Sequence, residues 1–188
     1  MPKYVAFLRA INVGGHTVKM DRLRALFEAM GFSNVETFIA SGNVIFDSPS
    51  KNTKSLEKKI EDRLQTALGY EVATFVRTLP ELAAVADYKP FSDAELNADG
   101  NTLYVAFLPG RPAEEAERRL LSFATESDDF HVSGREAYWL RRGKISESDF
   151  SGATLAKTLG MQATMRNSST VRKIASKYSA QSPKRRSR

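Results

Sequence analysis

The pentapeptide Tyr4-Val5-Ala6-Phe7-Leu8 returns as Tyr104-Val105-Ala106-Phe107-Leu108, so the fold must be one that this chain can build twice. The echo continues in order. Ser41-Gly42 lies between two apolar runs, as does Ser133-Gly134. Leu68-Gly69 closes a helical pattern ahead of Ala73-Thr74 and Arg77, and Leu159-Gly160 does the same ahead of Ala163-Thr164 and Arg166. The offset between copies falls from 100 at the pentapeptide through 92, 91 and 90 to 89 at the arginines, as a shorter second copy requires.

Over 188 residues the duplication implies two small units with modest cores, expected at 1–87 and 102–178, joined by a polar connector over 88–101. There is no cysteine, which removes disulfides, zinc–thiolate sites and thiol nucleophiles and suits a reducing compartment. Met1-Pro2-Lys3 runs straight into a strand-like segment without a charged-then-apolar leader, and no apolar run has the length of a membrane span. The expectation is a cytoplasmic protein with no membrane partner. The formal charge of +6 invites a nucleic-acid reading, but its placement tells against one for the folded part. Residues 179–188 carry Lys184, Arg185, Arg186, Arg188 and no acid, and removing those four charges leaves +2 on residues 1–178. A nearly balanced body with a basic Ser/Pro-containing tail is the pattern of a disordered appendage.

Residues Tyr4 to Arg9 are apolar on both alternating faces, as in a central strand covered on both sides. Met20, Leu23, Leu26, Phe27 and Met30 then mark one helix face. Val35–Ile39 and Val44–Phe46 read as a hairpin joined through Ala40-Ser41-Gly42-Asn43. Leu56, Ile60, Leu64 and Leu68 recur at helical spacing before Gly69, and Val72–Val76 forms a fourth strand. Thr78-Leu79-Pro80-Glu81 has the form of a capping box that starts an extra helix running to Ala86. The second copy repeats this plan. Its strand covers Thr102–Leu108, a helix starts at Pro112, and a hairpin pairs Phe130–Val132 with Ala137–Leu140. A helix holding Leu155 and Leu159, a strand over Gln162–Met165 and a last helix from Asn167 complete it. The predicted class is therefore α+β: tandem duplicated ferredoxin-like (βαββαβ) subdomains with antiparallel sheets, each with an extra C-terminal helix.

An RNA-recognition motif shares this element order but exposes aromatic residues on its first and third strands. The third strand here, Ser41-Gly42-Asn43-Val44-Ile45-Phe46, lacks the Lys/Arg-Gly-aromatic pattern, and the apolar strand faces call for cover. A covered face cannot stack bases.

Three patterns stand together: Phe7-Leu8-Arg9-Ala10-Ile11-Asn12-Val13-Gly14-Gly15, Ser41-Gly42-Asn43-Val44, and Thr164-x-Arg166-Asn167-x-x-Thr170-Val171. With them the chain resembles, from Tyr4 to Tyr178, the bacterial family known as domain of unknown function 1697. The resemblance implies two ferredoxin-like subdomains in a compact unit and no established activity. The family commonly has Arg-Asn-Trp-Asn-Thr in the third pattern, where this chain has Arg166-Asn167-Ser168-Ser169-Thr170.

The copies differ at one informative place. The link from first strand to first helix is long and carries Gly14-Gly15 in the first copy, but is only Pro109-Gly110-Arg111 in the second. A loop the fold does not need is a candidate for function. Asn12, Gly14 and Gly15 follow a central strand and precede a helix, where backbone N–H groups can surround an anion, although a structural turn is the plainer reading. Neither of the named glycine-rich nucleotide motifs is present. Arg166 and Asn167 end a strand and begin a helix, so a guanidinium and a helix terminus could address a carboxylate or phosphate, against the plainer reading of a salt bridge and an N-cap. Ser41, Gly42 and Asn43 make a turn first and a site second, and Thr170 completes the ligand set by its place in the third pattern. His16 and His131 are not spaced as a metal pair, so no metal or cofactor is expected; His16 beside Gly15 is the one acid–base candidate. The sequence thus points to a binding or accessory protein with a small anionic ligand at Asn12–Gly15. The alternatives are an enzyme using His16 on a phosphorylated or acyl substrate, and weak nucleic-acid binding through the basic tail.

Overall fold

The structure, a computed structural model, describes residues 1–12, 14–39 and 42–179. The first half runs β1 (Lys3–Leu8), α1 (Met20–Ala29), β2 (Ser33–Thr37), β3 (Asn43–Asp47), α2 (Thr53–Leu68), β4 (Thr74–Thr78) and α3 (Leu79–Asp87). After α4 (Asp93–Asn97) the second half runs β5 (Asn101–Phe107), α5 (Glu114–Leu121), β6 (Asp128–Ser133), β7 (Glu136–Arg142), α6 (Gly152–Leu159), β8 (Thr164–Asn167) and α7 (Ser168–Ser179). The sheets are ordered β2-β3-β1-β4 and β6-β7-β5-β8, with every neighbouring pair antiparallel. This is the duplicated ferredoxin-like α+β plan.

Alternation along β1 explains the layering. Tyr4, Ala6 and Leu8 pack with Leu23, Phe27, Ile60 and Leu64 of α1 and α2. Val5 and Phe7 face the other way and meet Val105, Phe107, Tyr138 and Leu140 of the second sheet. On the far side of that sheet, Ala106 and Trp139 pack with Leu120, Leu155 and Leu159 of α5 and α6. The order through the molecule is therefore helices, sheet, sheet, helices. Leu82 and Val85 of α3 and Val171, Ile174 and Tyr178 of α7 close the space between the sheets. The face that an RNA-recognition module offers to bases is here occupied by the other sheet.

Local chemistry fixes the ends. Thr78 and Glu81 form the expected capping box of α3, and Gly69 and Gly160 end α2 and α6 in the left-handed conformation at φ +82° and +67°. The connector expected over 88–101 contains α4, opened by a second capping box between Ser92 and Glu95. Strands β4 and β8 lie two residues later than their apolar runs suggest, because the sheet register reaches Thr78 and Asn167. The hairpins align one residue off the Gly42/Gly134 match. Asn43 pairs with Phe7 as Glu136 pairs with Phe107, so Gly42 corresponds to Arg135. Ala73-Thr74 likewise corresponds to Gln162-Ala163 rather than Ala163-Thr164, since Ala6 pairs with Val76 as Ala106 pairs with Met165. Ser41 and the tail residues Lys184, Arg185, Arg186 and Arg188 lie outside the described residues. Among the described residues no helix is long and apolar enough to cross a membrane.

Candidate functional site

Two buried arginines hold the halves together, and one of them backs a cleft. Arg166 on β8 reaches across to the first half, where Nε donates to Asn43 Oδ1 at 2.7 Å and Nη2 to the Leu8 carbonyl at 2.9 Å. Its Nη1 donates to Thr164 Oγ1 and to the Met165 carbonyl at 2.8 and 2.9 Å. Arg77 on β4 makes the reciprocal set. Nε donates to Glu136 Oε1 at 2.7 Å, Nη2 to the Leu108 carbonyl at 3.0 Å and Nη1 to the Val76 carbonyl at 3.0 Å. Each guanidinium lies over the phenylalanine of the opposite half, Arg166 5.7 Å from Phe7 and Arg77 5.4 Å from Phe107. The two clasps differ in charge: Arg77 meets a carboxylate, Arg166 the neutral amide of Asn43. Burial pulls the Arg166 guanidinium down to about 10, so it stays protonated at neutral pH. Burial also lowers Arg77, against the opposing pull of Glu136.

Outside the Arg166 clasp lies a cleft of about 450 Å³, bounded by Arg9–Asn12, by Gly152 and Ala153 at the start of α6, and by the outer edge of β8. The loop Arg9–Asn12 holds its shape through three local constraints. Asn12 Oδ1 accepts the Val18 N–H at 2.8 Å and ties the loop to the start of α1. Ala10 takes a left-handed φ of +56°, uncommon for a residue with a Cβ. Beneath the loop, Gly42 at φ +78° comes so close that a Cβ there would stand 2.6 Å from Ile11 Cγ2. The hairpin end must therefore be glycine. Its carbonyl accepts the Leu8 N–H at 2.8 Å.

The structure brings together Asn12 and Arg166, which line the cleft, with Gly42 and Asn43 behind them. Gly14, Gly15 and His16 stand on the exposed arm of the same loop, where the His16 ring stacks on Tyr70 with centroids 3.8 Å apart. None of the three lines the cleft. Asn167 and Thr170 are also outside it. Strand alternation turns Arg166 inward and leaves Asn167 exposed at the start of α7, where its Oδ1 accepts the Ser169 N–H at 2.9 Å. Sequence reasoning missed Arg9, Gly152, Ala153 and Met165. Arg9 was present in the first pattern, and the shortness of α6 relative to α2 was readable from the copy alignment. His131 bonds Tyr88 Oη at 2.7 Å, far from the loop in sequence and part of the second sheet. Among the described residues no three His, Asp or Glu side chains are placed to hold a metal ion.

The related place in the other half is narrower, with a cleft of about 180 Å³ beside Glu61 and Asp62. There α2 runs for 16 residues against 8 in α6, about two turns more. Lys54 in its first turn bonds the Pro109 carbonyl and pairs with Glu57 at 3.0 Å. Of two sites related by the internal repeat, one is narrowed by the chain itself and one is open.

The fold is shared with a solved structure described as that of the conserved bacterial protein SP0830 from Streptococcus pneumoniae. It matches with a TM-score of 0.75 and 18% identity over 95% of this chain and 99% of the other. No curated protein matches the chain. A family model described as "Protein of unknown function (DUF1697)" matches residues 1–138. The matched stretch includes the loop after β1 and the hairpin at Gly42, and stops before Arg166. By that match the chain belongs to the DUF1697 family.

Proposed function

We propose that this protein binds a small anion in the cleft between the loop after β1 and the outer edge of β8. The observation that carries the reading is the inequality of the repeat: the first-half counterpart is narrowed by Lys54 and the added turns of α2, whereas this cleft is lined by Arg9 and Arg166 and, among the described residues, by no acidic one. Arg9 is half-buried at its wall and has no ion-pair partner among the described residues. A guanidinium there meets an anion by charge-assisted hydrogen bonds worth about 1.5–3 kcal/mol. We read the protein as an accessory binding protein of the cytoplasm.

Titration of the full chain with inorganic phosphate and with glutarate, followed by amide chemical shifts, tests this. Saturable shifts are expected at Arg9, Ala10 and Asn12, and Arg9→Ala should weaken binding about tenfold or more. Absence of any shift in this loop with both anions would refute the reading.

A further inference from the structure

The two halves treat the same backbone groups differently. Strands β4 and β8 are both sheet edges, and alternate N–H groups of an antiparallel edge strand point away from the sheet. In the first half the Leu8 N–H bonds the Gly42 carbonyl on the β3 side, which leaves Val5 and Phe7 to bond β4 and turns the Thr74 and Val76 N–H groups outward. Both meet carboxylates. Glu61 Oε1 accepts from Thr74 and Glu57 Oε1 from Val76, each at 2.9 Å.

In the second half the Leu108 N–H bonds the Arg135 carbonyl, and Ala106 pairs with Met165 as Ala6 pairs with Val76. The same alternation turns the Ala163 and Met165 N–H groups outward, into the cleft wall. The acids that would meet them are missing. Aligning α2 and α6 on their left-handed caps, Leu68-Gly69 and Leu159-Gly160, puts Gly152 at the place of Glu61 and Ser148 at that of Glu57. Ser148 precedes α6 and bonds Asp128 instead, at 3.1 Å.

We infer that the cleft takes a dicarboxylate, with one carboxylate on each of the Ala163 and Met165 N–H groups, where the first half seats Glu61 and Glu57, and with Arg9 as counter-charge. Outward N–H groups two residues apart along a strand are separated by about 7 Å, too far for one carboxylate and suited to a chain of glutarate or adipate length. This rests on the proposed anion site and adds the ligand class and its seats. The two carboxylates could belong to a free acid or to acidic side chains of a polypeptide.

The test is an amide chemical-shift titration of the full chain with glutarate, acetate, inorganic phosphate and a terminally blocked Glu-Ala-Glu peptide. Saturable downfield shifts of Ala163 and Met165 with glutarate, and at least tenfold weaker binding of acetate, are expected. A peptide tighter than glutarate assigns the carboxylates to a protein partner, and the reverse to a metabolite. Gly152→Glu, whose Cβ would meet only the end of the flexible Met165 side chain at 3.2 Å, supplies an internal carboxylate and should abolish glutarate binding. Gly152→Gln, of the same size but neutral, should retain more of it, and a dispersed spectrum establishes that each variant is folded. Phosphate shifts at Arg9 and Asn12 without carboxylate shifts at Ala163 and Met165 would overturn the dicarboxylate and leave the anion site standing. No shift from any probe would overturn both.

Discussion

Gly42 concentrates three demands on one residue. Its backbone is left-handed, its carbonyl receives the Leu8 N–H, and a Cβ would strike Ile11. Gly42→Ala should therefore cost about 2 kcal/mol or more, from the left-handed conformation and from overpacking against Ile11. The measurement is the urea midpoint, and pairing the change with Ile11→Ala should recover part of the loss if the clash with Ile11 Cγ2 is the cause. Arg166 and Asn43 show what a sequence conceals at this scale. Both were legible as unusual residues beside turns and caps, but their roles come from contacts 123 positions apart in the chain and from a backbone carbonyl, which carries no side-chain signature.

Helices α3 and α7 join the halves, and each is tied by a carboxylate that pH can remove. Glu81 of α3 accepts the Thr78 N–H and pairs with Arg135 at 2.9 Å. Burial pushes its carboxyl up, but the Thr78 N–H and Arg135 outweigh this and lower it. Glu36 of β2 accepts the Tyr178 hydroxyl of α7 at 2.7 Å, which lowers its carboxyl, as does Lys177. Since both fold with carboxyls below the ordinary 4.5, their stabilisation is fully present above that pH and is lost as pH falls through the lowered values. The denaturation midpoint should be nearly flat from pH 8 to pH 5 and fall below it. Glu81→Gln with Glu36→Gln should flatten that fall by roughly 1 kcal/mol or less per site, since both are partly exposed. At this scale the sequence was largely readable. The periodicity of α1 and α2, the α3 capping box and the alternation of β1 each follow from nearby residues. Strand ends and α4 did not, because pairing extends β4 and β8 into polar residues and because Ser92-Asp93-Ala94-Glu95 sits in a stretch rich in turn formers.

The halves meet across Phe7 and Phe107, stacked with centroids 3.9 Å apart and planes 8° from parallel. Truncating Phe107 to Ala should cost roughly 3–5 kcal/mol, and in a double-mutant cycle with Phe7 the double variant should lose about 0.5–1.5 kcal/mol less than the sum of the two single losses. Strict additivity in denaturant unfolding would contradict direct stacking. The repeated pentapeptide foretold this symmetry, but not the cleft, which depends on how far two helices extend rather than on any motif. Arg166 completes the end of β1 and Arg77 the end of β5, while Phe7 and Phe107 touch at the centre. That reciprocity is the rule of an isologous homodimer, here contained in one polypeptide. A true homodimer must carry every pocket in duplicate, and a substitution that closes one closes both. Within a single chain the twin positions vary independently, so one has been given over to Glu57 and Glu61 as internal structure while its twin beside β8 stays open to solvent.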